Sequence, residues 1–71
     1  MFDNLGVIEK KVLGALMIMA DKDNIVKATT VLIAKTVGYK SPGGALTFAL
    51  KILERDNFII PIGKYTYKIL I

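Results

Sequence analysis

Residues 29–55 read TTVLIAKTVGYKSPGGALTFALKILER, and this stretch decides the fold. Two helical patterns in it are separated by a short run of turn residues. Gly38 suits the left-handed end of the first helix, because glycine has no Cβ to clash there. Ser41 suits the N-cap of the second helix, and Pro42 suits its first position, where a missing N–H costs no hydrogen bond. The stretch therefore predicts two helices joined by a tight turn at residues 39–41.

Bounds and buried faces of these two helices follow from their caps and from helical spacing. The first is predicted to begin with Thr29 or Thr30 as its cap and to end at Gly38. The second is predicted to run from Pro42 to about Asp56. The predicted inward residues of the first helix are Val31, Ile33, Ala34 and Val37. Those of the second are Leu46, Ala49, Leu50 and Leu53, with Thr47, Lys51 and Glu54 opposite and Phe48, Ile52 and Arg55 between.

The same stretch resembles a known family in two places. Ile33-Ala34 followed by Val37-Gly38 is similar to the first half of a DNA-binding helix-turn-helix. Residues 50–59, LKILERDNFI, resemble the end of the recognition helix and the start of the wing in winged helix-turn-helix regulators. Asn57 stands where that family usually has Gly, and Asn also adopts the left-handed conformation. The resemblance extends over roughly residues 29–70.

The resemblance implies a fold and a function. The expected fold is mainly α with a small β-hairpin (α+β), a three-helix winged helix-turn-helix. Helix 42–56 would enter the major groove of DNA, and hairpin 58–70 would act as a wing along the backbone or the minor groove.

An additional helix is predicted before this motif, from about Leu5 to Ala20, with Asp3 or Asn4 as its cap. Its predicted core stripe consists of Ile8, Val12, Ala15, Leu16 and Met19. Its second half is apolar nearly all round, so Leu13, Met17 and Ile18 need further cover. Either the wing and the third helix cover them, or the chain forms a homodimer through this helix. We expect the dimer, chiefly through Leu13 and Met17.

Strands are predicted at residues 25–28 and in a hairpin formed by residues 58–62 and 65–70. The first is short and is expected to pair with the wing. In the hairpin, Gly63-Lys64 suits a two-residue type II′ turn. That register places three cross-strand pairs on one apolar face against the core: Ile62 with Tyr65, Ile60 with Tyr67, and Phe58 with Ile69. Pro61 indicates an edge strand.

Composition limits the classes of function. The 71 residues, 1–71, predict one small domain. The chain has no His and no Cys and its six carboxylates are scattered, so we expect no enzyme, no metal site, no cofactor and no small-molecule substrate. The absence of Cys also fits a cytoplasmic protein. The apolar run at residues 12–20 is shorter than the ~20 residues that span a membrane, so no membrane segment is expected.

The charge of +4 and the pI of about 9.5 favour a polyanionic partner. The candidate contacts with double-stranded DNA are Lys40, Ser41, Gly43, Gly44, Thr47, Lys51, Lys64 and Lys68. Thr47 and Lys51 are expected to reach base edges, and the others to contact the phosphate backbone. Phe48 is expected in the core, with a thymine methyl or a protein partner as the alternative.

The glycine pair at residues 43 and 44 has two interpretations. It would leave bare amides at the positive end of a helix, where a phosphate can approach closely. Alternatively, it would allow the preceding helix to pack tightly against the helix start.

The sequence as a whole predicts a small DNA-binding transcriptional regulator, acting as a homodimer. The alternative is a winged helix used as a protein–protein interaction module or accessory subunit. Binding of structured RNA through the same basic surface is a third interpretation.

Overall fold

The computed structural model describes residues 5–70, which form three helices and a three-stranded antiparallel sheet. The helices are α1 (Val7–Met19), α2 (Thr30–Val37) and α3 (Gly44–Arg55). The strands are β1 (Ile25–Lys27), β2 (Ile59–Gly63) and β3 (Thr66–Ile69), in the sheet order β1-β3-β2. The predicted fold class, α+β with three helices and a small β-hairpin, is confirmed.

One buried apolar cluster joins the helices to the sheet. Helix α1 packs against α2 and α3, and α3 also packs against β2. Within residues 5–70 no buried side chain is polar or charged. Apolar burial, at roughly 25 cal/mol per Å², is therefore the main stabilising contribution in a chain that has no Cys for a disulfide. The largest fully buried side chains are Leu16, Ile33, Leu46, Leu53, Ile59, Val12 and Val26.

Helix α1 begins two residues later than predicted. Gly6 is its N-cap, and the Gly6 amide donates to the Glu9 carboxylate at 3.2 Å. This local hydrogen bond sets the helix start, and an acidic side chain in the first turn also suits the helix dipole. The predicted caps, Asp3 and Asn4, lie outside the described residues.

The buried face of α1 is close to the prediction, with one addition. Its buried residues are Val12, Leu13, Ala15 and Leu16, and Ile8 and Met19 pack partly buried against them. Leu13 is only 2% exposed, so the protein's own core covers it. Leu13 therefore gives no motive for a dimer, and that part of the expectation was wrong. Met17 and Ile18 remain 50% and 79% exposed.

Helix α2 begins and ends as its sequence predicts. The Thr29 hydroxyl accepts a hydrogen bond from the Leu32 amide at 3.2 Å, and Gly38 ends the helix at φ 109° in the left-handed region. Ile33 is buried as expected, but Val31 is exposed. Val31 lies two residues before Ile33, about 200° around the helix, so both cannot face the core.

Helix α3 starts two residues later than predicted, and Ser41 is not its cap. The N-cap is Gly43, in extended conformation, and no side chain caps this end. The residue before a proline is disfavoured in the helical region, which keeps Ser41 outside the helix. The buried residues of α3 match the prediction completely. Phe48 does not belong to the core, because 61% of its surface is exposed.

The transition from α3 to β2 depends on Asn57. Asn57 adopts φ 63°, so it takes the left-handed role expected at this position. The Phe58 amide then donates to the Leu53 carbonyl at 2.9 Å, which closes the last turn of α3. Because the Phe58 amide is committed to the helix end, the strand begins at Ile59.

The hairpin register differs by one residue from the prediction. Ile59 pairs with Ile69 and Ile60 pairs with Lys68, with an irregularity between Pro61 and Gly63. A one-residue shift moves every side chain to the other face of the strand. Ile59 is therefore buried opposite Ile69, whereas three of the six residues expected on the inner face, Ile60, Ile62 and Tyr65, are exposed. The other three agree with the expectation, because Ile69 is buried and Phe58 and Tyr67 pack partly buried against the core.

The turn of the hairpin also differs from the prediction. Gly63 pairs with Thr66, so the loop residues are Lys64 and Tyr65, and Tyr65 takes a positive φ of 56°. The prediction that Pro61 lies on an edge strand is confirmed, because β2 is at the edge of the sheet. The short strand β1 pairs with β3, as expected.

The left-handed turn at Gly38 generates a first test. We expect Gly38→Val to lower the free energy of unfolding by more than ~1 kcal/mol, because a side chain at positive φ is strained. Gly44→Val is the matched control, since Gly44 lies inside α3 without a positive φ and an added Cβ there meets no atom within 4 Å. Urea denaturation of both variants gives the comparison. Equal losses would contradict the assigned turn.

The hairpin register generates a second test. Ile59 is 1% exposed and its neighbour Ile60 is 44% exposed. Ile59→Ala should therefore cost about 2–5 kcal/mol of unfolding free energy, and Ile60→Ala about 1 kcal/mol or less. Chemical denaturation measures both. A larger loss for Ile60→Ala would instead support the register expected from the sequence.

Candidate nucleic-acid interface

All eight predicted contact residues are solvent-exposed. They do not form one patch in the described part of the structure. Instead, the structure distributes them over the start of α3, the outer face of α3, the hairpin tip and the outer face of the sheet. Each location has a different local geometry.

The start of α3 borders a shallow concavity. Lys40, Ser41 and Gly43 line it together with residues of α1 and α3. Since no side chain caps this helix end, its first backbone amides have no side-chain acceptor. These amides form the positive end of the helix dipole and lie beside a lysine, which suits an anion.

The glycine pair is not explained by packing. A Cβ built on Gly43 or on Gly44 meets no atom within 4 Å. The alternative that glycine permits a close approach of α2 to the helix start is therefore wrong. What the pair does provide is bare, accessible backbone at the N-terminus of α3.

The outer face of α3 has a mixed chemical character. With about 100° per residue, Gly44, Phe48, Lys51 and Arg55 follow the centre of the exposed face. Thr47 lies on its flank, and the Thr47 hydroxyl donates to the Gly43 carbonyl at 3.3 Å. Of the two predicted base-reading residues, Lys51 is therefore the more central.

Arg55 was missed as a candidate contact in the sequence. It lies four residues after Lys51, and this helical spacing is the signal that could have identified it. The side chain is 72% exposed, and its Nε is 3.2 Å from Asp56 Oδ1. Because such an exposed pair contributes little energy, Arg55 remains available to a stronger acceptor.

The hairpin tip lies beside the start of α2. The Ala28 amide donates to the Tyr65 carbonyl at 2.9 Å, which joins the tip to the segment that leads into α2. Lys64 and Lys27 line one concavity here together with Thr29. The Lys64 ammonium also lies 5.4 Å from the centroid of the Tyr65 ring. Two lysines and a helix N-terminus thus share one small surface.

Lys27 was also missed in the sequence. Its position depends on the pairing of β1 with β3, where Lys27 is opposite Thr66. No local pattern around Lys27 indicates this neighbour.

Lys68 is separate from the tip. It lies two residues beyond Thr66 on the central strand, between Ile25 of β1 and Ile60 of β2. Two residues of strand span about 7 Å, so Lys68 lies on the outer sheet face at a distance from the tip concavity.

Charge is segregated along the sheet. Lys27 and Lys64 lie at the end that carries the hairpin tip. At the opposite end, the Asn24 carbonyl accepts from the Ile69 amide, and the acidic turn at residues 21–24 is located there. The Asp21 carboxylate accepts from the amides of Asp23 and Ile25, which orders this turn. The sheet therefore has one basic and one acidic end.

The candidate lysines carry uncompensated charge. Within residues 5–70, the single ion pair joins Arg55 to Asp56. None of the four candidate lysines is therefore neutralised by a carboxylate in the described part of the chain, which leaves their charge available to an anionic partner.

Residues 5–70 contain no group of three or more His, Cys, Asp or Glu side chains that could hold a metal ion. None of the helices in this range has both the length and the apolar character to cross a bilayer.

The empty space around the glycine pair generates a third test. Gly44→Ala should leave the free energy of unfolding unchanged or raise it by up to ~1 kcal/mol, because Ala is the better helix former and meets no neighbour. Thermal and urea denaturation measure this. A loss of stability above ~1 kcal/mol would show that the fold itself needs glycine there.

Comparison with protein-family models, with curated proteins and with solved structures finds no match to this chain. A functional interpretation therefore depends on the geometry and the charge of the surfaces described above.

Proposed function

We propose that this protein is a winged helix-turn-helix DNA-binding protein that acts as a small transcriptional regulator. In this proposal α3 enters the major groove, and the β2–β3 hairpin is the wing that follows the backbone. The proposed role needs no cofactor and no catalytic residue, and it would place the protein in the cytoplasm with the DNA.

The observation that carries the proposal is the surface at the hairpin tip. Lys27 from β1 and Lys64 from the hairpin loop line one concavity beside the N-terminus of α2. Two ammonium groups and the positive end of a helix dipole form a site suited to a phosphate. The acidic turn lies at the far end of the sheet, so the charge distribution favours one orientation of the protein on a polyanion.

A second anion site at the start of α3 supports the same conclusion. Lys40 and Gly43 line a concavity at the start of the helix that would enter the groove, and no side chain caps the first amides of that helix. Helix α2 has eight residues, or about 12 Å at 1.5 Å per residue, and the two anion sites lie near its opposite ends. Together they would hold the backbone at two points, which positions α3 without specifying sequence.

Recognition of a particular DNA sequence would depend on the outer face of α3. Lys51 and Arg55 can each donate to guanine O6 and N7, and Thr47 can donate or accept. Phe48 offers an apolar surface suited to a thymine methyl. This set is small, and it favours modest sequence preference on top of a larger electrostatic affinity.

The alternative function is that of a protein–protein interaction module. The exposed Phe48 at the centre of α3 favours it, because an aromatic side chain on a helix surface also suits a protein groove. The two functions differ in salt dependence, since binding to phosphates releases condensed counterions.

The direct test is a fluorescence anisotropy titration with a labelled duplex at two salt concentrations. Lys64→Ala should weaken binding to all sequences about equally and lower the salt slope by ~1, because one phosphate contact is lost. Lys22→Ala is the matched control. It removes the same charge from an exposed lysine in the acidic turn, and it should leave the affinity nearly unchanged.

The same titration distinguishes residues that contact the phosphate backbone from residues that contact base edges. Lys51→Ala should change the ranking of different duplexes, because its ammonium is expected at base edges. Absence of binding in low salt, at protein concentrations well above ~10⁻⁴ M, would contradict the DNA-binding proposal and favour the protein-interaction alternative.

A further inference from the structure

The hairpin tip carries a tyrosine in a backbone conformation that disfavours it. Tyr65 adopts φ 56°, in the left-handed region. Bulky side chains are rare in that region, because the Cβ lies too close to a carbonyl oxygen. The other two non-glycine residues with positive φ within residues 5–70 are Asn24 and Asn57. Asn tolerates this conformation well, so the backbone of the tip alone would favour Asn over Tyr.

Core packing does not account for this tyrosine. The chain has three tyrosines, of which Tyr39 and Tyr67 pack partly buried against the core. Tyr65 is 51% exposed. The side chain is therefore not retained for the stability of the core.

The backbone around Tyr65 is nevertheless held in place. The Tyr65 carbonyl accepts a hydrogen bond from the Ala28 amide at 2.9 Å, which ties the tip to the segment before α2. The Thr66 hydroxyl donates to the Lys64 carbonyl at 3.0 Å. An unfavourable conformation that the surroundings hold in place, at an exposed position, is typical of a residue with a function in binding.

The neighbours of the Tyr65 ring indicate the kind of ligand. Tyr65 lines the tip concavity together with Lys27 and Lys64, and the Lys64 ammonium lies 5.4 Å from the ring centroid. Proteins bind single-stranded nucleic acid with this combination, in which basic side chains contact the phosphates and bases stack on an aromatic ring. A base inside a duplex is already stacked between its neighbours, so an unpaired base is the form that can occupy the ring.

The size of the concavity limits how much of a strand it can hold. Its volume is about 350 Å³, at the lower end of the ~300–1,000 Å³ that is typical of small-ligand sites. The chain also places only one tyrosine at this tip. Both features suit a single nucleotide better than a longer run of single strand.

We infer that the hairpin tip binds one unpaired nucleotide, with its phosphate between Lys27 and Lys64 and its base against the ring of Tyr65. The proposal rests on the proposed DNA-binding function, and the DNA form that it selects is a duplex that continues into unpaired nucleotides. The identity of the unpaired base matters little, because every base has a face that can stack.

A fluorescence anisotropy titration with two labelled DNAs tests the proposal. One is a short duplex with a fork, formed by non-complementary thymidine tails on both strands at one end. The other is a blunt duplex with the same number of phosphates, so that electrostatic attraction is matched. The protein should bind the forked duplex about fivefold more tightly or better, because one stacked base contributes that much. Absence of binding to either DNA would overturn the proposed function together with this proposal, whereas equal binding to both would overturn this proposal alone.

Three variants assign the preference to the ring. Tyr65→Phe keeps an aromatic face and should keep the preference for the forked duplex, whereas Tyr65→Ala should lose it and still bind the blunt duplex. Ile62→Ala is the matched control, because it removes an apolar side chain of the same hairpin that is 50% exposed, and it should behave as the wild type does. Loss of the preference in Ile62→Ala, or its retention in Tyr65→Ala, would contradict the stacked base.

Tyr65→Asn separates a binding role from a structural one. Because Asn suits a positive φ, this variant should raise the melting temperature by a few degrees and lose the preference for the forked duplex. Thermal denaturation and the same titration measure the two effects. A lower melting temperature would show that Tyr65 serves the stability of the tip, and it would overturn the proposal.

Discussion

The structure depends on the apolar contact between α1 and α3. Leu16 of α1 and Leu46 and Leu53 of α3 are completely buried in one cluster. A 71-residue chain without Cys has little else to stabilise it, since small domains bury a limited share of their surface. This contact fixes the rotation of both helices. It leaves Lys51 on the outer side of α3, so the helix face proposed to contact DNA is a consequence of this core.

The second constraint is the central position of β3. Strand β3 pairs with β1 on one side and with β2 on the other, which joins the hairpin to the rest of the fold. The buried Ile59–Ile69 pair fixes the register between β2 and β3. This register places the hairpin tip, with Lys64, beside Lys27 and the start of α2. The basic site therefore results from long-range strand pairing, and the acidic turn is separated from it by the length of the sheet.

The sequence predicted those features that depend on neighbouring residues. Gly38 ended α2 and the apolar spacing around Leu46 predicted the buried face of α3, because caps and helical period act within a few residues. The predicted hairpin register was wrong because isoleucines occupy both faces of β2, so the sequence pattern fits either register. Ile59 and Ile60 fit the same pattern, and the hydrogen bond from the Phe58 amide to the end of α3, which favours Ile59, comes from tertiary geometry that the pattern does not contain. Lys27 was missed since its neighbours come from a distant strand.

We propose that the uncapped start of α3, its outer face and the basic hairpin tip together bind duplex DNA. Titration of ¹⁵N-labelled protein with a short duplex, followed by amide chemical shifts, tests this most directly. We expect the largest shifts at Gly43, Gly44, Lys51 and Lys64. These shifts should decrease as salt is added, and Asp23 in the acidic turn should be unaffected. An absence of shifts in low salt, or shifts centred on the acidic turn, would contradict it.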